Sequence, residues 1–135
     1  MEIFSVKIDM IQEIDHHQAS STLMGDGYFM SEDNSCFVIE TKDESNYPIL
    51  MRIIFTGDDS LQVKIQGEGY TSIHDLKMNV KTMGASFVDN QRLDYQFVLL
   101  KFIKKNLDIY LEYDIYSNGT KISKNTFELE VTQKC

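Results

Sequence analysis

Apolar and polar residues alternate along much of the chain, most cleanly at 107–117. Leu107, Ile109, Leu111, Tyr113 and Ile115 share one parity, and Asp108, Tyr110, Glu112, Asp114 and Tyr116 share the other. Successive side chains of a strand point to opposite faces, so the pattern predicts a strand with one buried and one wet side. Asn118-Gly119 follows. That dipeptide tolerates positive φ at both centres of a type I′ turn and predicts a hairpin. A two-residue loop sets Ile115 against Ile122, and continuing that register sets Ile109 against Glu128. Phe127, Leu129 and Val131 would then face the wrong side, because a slip of one residue flips every side chain. One extra residue restores the match, so a bulge is predicted within Ser123–Thr126, with a kink at Lys124-Asn125.

The same reading runs through the rest of the chain. Phe4, Val6, Ile8 and Met10 alternate with Ser5, Lys7 and Asp9, a half-buried first strand. The pattern blurs over 11–15, and His16 to Ser21 reads as a connection. Gly25-Asp26-Gly27 suggests a bent strand or a close backbone approach. Residues 36–73 read as a three-strand antiparallel meander with polar turns at 42–46 and 57–60. Leu76, Val80 and Met83 fall at i, i+4 and i+7 before Gly84, which predicts a short helix over 74–83. The apolar run from Leu93 to Ile103 fits a strand buried on both faces or a helix over 90–105 with Lys101, Lys104 and Lys105 at its C-terminus. Its Phe, Val and Tyr favour the strand.

These elements predict one mainly-β domain spanning 1–135. The expected architecture is an antiparallel β-sandwich or open barrel of about 7–8 strands. It carries one or two short helices, at 74–83 and, in place of the strand, 90–105. An α+β sheet with helices on one face is the alternative. Hydrophobic residues at 42% and charged residues at 25% suit a soluble globular chain. No apolar run approaches a membrane span, and Met1–Lys7 lacks the basic and apolar regions of a signal peptide. The cytoplasm, of a cell or of an infected host, is the expected location. Cys36 and Cys135 make no disulfide framework. Cys36 is expected in the core, and Cys135 as a frayed end or a link between two copies.

The net charge is −8, with −9 in residues 1–60 and +1 in the remainder. Such a field repels phosphate backbones and attracts basic surfaces, so direct nucleic-acid binding is disfavoured. Catalytic signatures are missing. His16, His17 and His74 lack an i, i+4 pair, and neither CxxC nor HExxH occurs. The histidines are expected in exposed loops, and no cofactor or resident metal is implied. Asp58-Asp59 and Glu32-Asp33-Asn34 could offer oxygens to calcium only if their turns met, and the EF-hand spacing is absent.

What remains is surface. Asp108, Tyr110, Glu112, Asp114 and Tyr116, with Asp58 and Asp59, are the candidate protein-interaction residues. Carboxylates interleaved with tyrosines suit a basic groove on a partner. The expected function is therefore a non-enzymatic acidic module. It binds a protein partner, in the manner of a phage-type inhibitor or immunity protein that blocks a nucleic-acid-binding surface. Two alternatives stand beside it. One is a small-ligand-binding or hydrolytic β-domain, which requires a deep pocket with converging polar groups. The other is a chaperone or scaffold that forms homo-oligomers: Leu61 to Ile73 resembles the last strand of the SecB chaperone fold, with 74–83 and 90–105 as its helices. That resemblance covers about half the chain, and the C-terminal hairpin departs from it.

Overall fold

A computed structural model describes residues 2–134. They form ten strands: Phe4–Ile14 (β1), His17–Phe29 (β2), Cys36–Lys42 (β3), Pro48–Gly57 (β4), Ser60–Gly67 (β5), Tyr70–Lys77 (β6), Lys81–Val88 (β7), Gln91–Lys105 (β8), Asp108–Ser117 (β9) and Thr120–Lys134 (β10). Each strand pairs antiparallel with the next, and β10 pairs with β1, so the sheet closes into a barrel. Closure in an antiparallel meander needs an even number of strands, because only then do the first and last run in opposite directions. Cys135 lies outside the described residues.

Several expectations are corrected. The barrel is closed rather than open, it is not a sandwich, and ten strands replace seven or eight. No helix occurs among the described residues, so none is long and apolar enough to cross a membrane, and the α+β alternative falls. Residues 74–83 comprise the end of β6, a turn with Asn79 at φ +58°, and the start of β7. Leu76 is interior whereas Val80 and Met83 are exposed, so their helical spacing is coincidental. Residues 91–105 are strand, and the SecB resemblance loses both of its helices. His16 to Ser21 is not a connection: Asp15 and His16, both at positive φ, make a two-residue turn directly into β2. Cys36 is half-buried at the start of β3 rather than in the core, and burial raises its thiol pKa against the opposing pull of Arg52.

The predicted bulge exists, one residue upstream of its expected window. Lys121 pairs with Tyr116 and Ser123 with Ile115, so Ile122 is the extra residue. A second bulge, at Leu100, lets Leu99 pair with Tyr113 and Lys101 with Glu112. It shifts the interior set of β8 from Phe97 and Leu99 to Phe102, which produces the dense apolar run.

The meander places alternate turns at opposite ends of the barrel. At the end bearing the β2–β3, β4–β5, β6–β7 and β8–β9 turns, the interior is packed solid. Val6, Ile8, Ile39, Met51, Ile53, Leu61, Leu76, Leu99, Leu111 and Leu129 are almost fully excluded from solvent. Phe37 meets Phe29 edge-on at 5.0 Å. Gly27 leaves room for that ring, which a Cβ there would strike. An eight-stranded barrel is just wide enough for side chains to fill. Ten strands enclose more, and the other end is not filled. Ile14, Val88 and Leu93 occupy inward-facing register positions there yet stay 46%, 41% and 45% exposed.

Candidate functional site

Interior positions change character along each strand toward the open end. On β1 the inward series runs Phe4, Val6, Ile8, Met10, Gln12. On β6, counted from the packed end, it runs Leu76, His74, Ser72. On β9 it is Ile109, Leu111, Tyr113, Ile115, and on β10 it is Leu129, Phe127, Asn125, Ser123. Polar groups thus gather at one level, above an apolar floor.

A cavity of about 310 Å³ opens at that level. Met10, Ile65 and Ile115 supply apolar walls, and His74, Tyr113 and Asn125 supply the deep polar groups. Gln12 and Ser21 add wet side chains nearer the rim. Among the described residues no Asp, Glu, Lys or Arg lines it. The wall is incomplete on one side. β3 pairs with β2 only over Gly25–Phe29, so the segment 17–24 has no strand neighbour there and projects with β1 as an exposed flap.

The deep groups are held in place by packing. His74 stacks on Phe97 with ring centres 4.7 Å apart and planes 27° apart. Tyr113 sits 6.3 Å from His74 and 6.4 Å from Phe97. Gly84, opposite His74 on β7, makes room for the Phe97 ring, which a Cβ would overlap. Asn125 is buried and donates from Nδ2 to Ser123 Oγ at 2.9 Å, with a longer contact to the Tyr113 carbonyl at 3.5 Å. That leaves Asn125 Oδ1 as a free acceptor. Among the described residues, no group hydrogen-bonds the His74 imidazole or the Tyr113 hydroxyl. Both residues are only partly buried, so their unpaired polar atoms are open to a guest in the cavity.

Burial also fixes their charge. Desolvation lowers the His74 pKa from 6.5 to about 4 and raises that of Tyr113 from 10.0 to about 12. Both are neutral at pH 7 because no counter-charge compensates the loss of water. His74 is therefore an interior residue, against its expected place in an exposed loop, while His16 and His17 are exposed.

The acidic residues singled out in the sequence lie elsewhere. Asp108, Tyr110, Glu112, Asp114 and Tyr116 do share the outer face of β9, opposite strands that carry lysines. Lys105 pairs with Asp108, Lys101 with Glu112 and Lys124 with Asp114. Lys101 and Lys81 cover the Tyr110 and Tyr116 rings at 5.5 Å and 4.5 Å. Asp114 is buried, and the Lys121 ammonium lies 3.3 Å from Oδ1 as an ion pair, although that oxygen accepts no hydrogen bond. Asp58 and Asp59 sit in the exposed β4–β5 turn, off this face. The turns at 31–35 and 57–59 do meet, for Asp33, Asn34 and Asp58 line one depression of about 560 Å³. Lys104 shares it, and no trio of His, Cys, Asp or Glu is placed to hold a metal among the described residues.

The sequence matches no family model and no curated protein. In structure the chain is similar to the ywiB protein from Bacillus subtilis. The TM-score is 0.75 at 10% identity, covering 98% of this chain and 93% of that one. A likeness at that identity establishes a common fold and stops there.

Proposed function

We propose that the protein is a non-enzymatic binder of a small organic molecule, held in the open half of the barrel. One observation carries this reading: His74 and Tyr113, deep in the barrel and without hydrogen-bond partners among the described residues, face a cavity of about 310 Å³. Ligand sites are concave, mostly apolar and furnished with a few fixed polar groups. Binding fits the chemistry better than catalysis. A general acid or base works best with a pKa near the operating pH. His74 near 4 and Tyr113 near 12 are both far from it.

The reading as an acidic module for a basic protein partner draws on the net charge of −8. On the β9 face itself lysines oppose the acids, which leaves a weaker field than the sequence suggests. Titration of the ¹⁵N-labelled protein with a library of small molecules tests the primary reading. Shifts should cluster at Gln12, Ser21, His74, Tyr113 and Asn125. Shifts only on the outer face of β9, or none with any compound, would refute it.

A further inference from the structure

We propose that the ligand is an uncharged, compact molecule with an apolar ring body and one amide- or hydroxyl-like end, seated with that end against Tyr113 and Asn125. The inference rests on the binding function proposed above and adds the chemical class.

Three features of the cavity point there. The first is size. A cavity of about 150 Å³ holds benzene, so about 310 Å³ admits a one- or two-ring molecule. The second is charge. Burying an ion without a partner is costly, and no side chain of either sign lines the cavity to offset it among the described residues. An anion would need a cation here, and the lysines of β8, Lys101, Lys104 and Lys105, lie outside the lining. The third is the set of hydrogen-bonding groups. The neutral imidazole offers one donor and one acceptor, the Tyr113 hydroxyl can donate, and Asn125 Oδ1 can only accept. A guest that both donates and accepts satisfies them, as a carboxamide does. A carboxylate only accepts, and an ammonium only donates.

The flat surround agrees with a ring. His74 stands stacked on Phe97 with Tyr113 beside both. Aromatic guests gain from offset or edge contacts with such rings.

Four probes of similar shape separate the possibilities: benzamide, benzoate, benzylammonium and toluene. Each is titrated into the intact ¹⁵N,¹³C-labelled protein at pH 7, and shifts are followed at His74, Tyr113 and Asn125. Benzamide should saturate these signals, with benzoate and benzylammonium at least tenfold weaker. Tyr113→Phe should weaken benzamide several-fold and leave toluene unchanged, with the fold verified by circular dichroism. If either ion bound at these residues as tightly as benzamide, the ligand class would be wrong while the binding function stood. If toluene matched benzamide, or Tyr113→Phe changed nothing, the polar end would be wrong in the same way. If none of the four reached the cavity, both the class and the binding function would fall.

Discussion

Replacing His74 with glutamine removes one titrating group from the barrel interior and keeps a polar side chain of similar size. Its effect on stability can be worked out from the pKa alone. In the folded protein the imidazole protonates near pH 4, against 6.5 for the exposed group. Above pH 6.5 it is neutral in both states and contributes no pH dependence. Between pH 6.5 and 4 the unfolded chain takes up a proton that the folded one refuses, so stability falls as pH falls. Below about pH 4 both states are protonated and the loss levels off. At about 1.4 kcal/mol per pH unit, the full loss is roughly 3 kcal/mol, of which about 2 kcal/mol is already gone at pH 5. Carboxylates titrate over part of this window, so the quantity to measure is the difference between wild type and His74→Gln. Urea denaturation at half-unit steps from pH 4 to 7.5, followed by tyrosine fluorescence since the chain has no Trp, supplies it. The difference should be flat above pH 6.5 and move toward the variant by roughly 3 kcal/mol on the acid side. An NMR titration should show the His74 ring staying neutral until the pH falls toward about 4. A flat difference, or a His74 that titrates near 6.5, would refute its placement inside the barrel.

Three further perturbations test other parts of the structure. Tyr113, raised to about 12 by burial, carries the mirror-image effect. Stability should fall as pH rises from 10 toward 12, and Tyr113→Phe should abolish that alkaline limb in the same denaturation assay. Gly84→Ala pushes a methyl group into the Phe97 ring and against the Ile73 carbonyl. Overpacking a rigid site should cost roughly 2–3 kcal/mol in denaturant midpoint analysis and displace the His74 ring signals. Lys121→Met removes the ion partner of Asp114, which is only 6% exposed. Leaving that charge unpaired should cost about 1–3 kcal/mol, and Asp114→Asn in the same background should recover most of it.

Local alternation made much of the barrel legible in the sequence. Ser60–Gly67 and the β9–β10 hairpin carry one apolar and one polar face, and the turns of this region hold Asn, Asp or Gly. Three things escaped. The flap formed by the outer parts of β1 and β2 is wet on both faces, so no alternation marks His17–Met24 as strand. The bulge at Leu100 joins two alternating phases and imitates a strand buried on both faces, or a helix. Closure is non-local: Phe4 meets Lys134 and Glu13 meets Lys124 across nearly the whole chain, and no short window encodes that pairing. The conspicuous acids drew attention to β9, whereas the cavity residues are neutral and read as ordinary. Their signal was polar residues at interior parity. Tyr113 stands in the series Leu107–Ile115, and Ser72 and His74 stand in line with Leu76.

The bulge in β10 connects the fold to the cavity. Without an extra residue, Ile122 would face Ile115 in the interior, and Ser123 and Asn125 would point to solvent. Bulging Ile122 out of the ladder reverses this. Ser123 and Asn125 turn inward, Phe127 and Leu129 join the core, and Ile122 is left 39% exposed. A bulge anywhere between the turn and Phe127 would rescue Phe127, Leu129 and Val131, so the core does not dictate its position. Placing it before Ser123, rather than at Lys124-Asn125, has a different consequence. It sinks two polar side chains beside Tyr113, where they bond each other at 2.9 Å and leave an acceptor facing the cavity. Burying that pair confers no stability that Ile122 facing inward would not exceed, since a typical hydrogen bond nets only about 1 kcal/mol. The position of the bulge is therefore better explained by the cavity than by the core. Deleting Ile122 removes only the unpaired residue: Ser123 then follows Lys121, the pairs from Ser123–Ile115 to Leu129–Ile109 are kept, and the barrel should fold with Ser123 and Asn125 still facing inward, whereas loss of the fold by circular dichroism would refute this register.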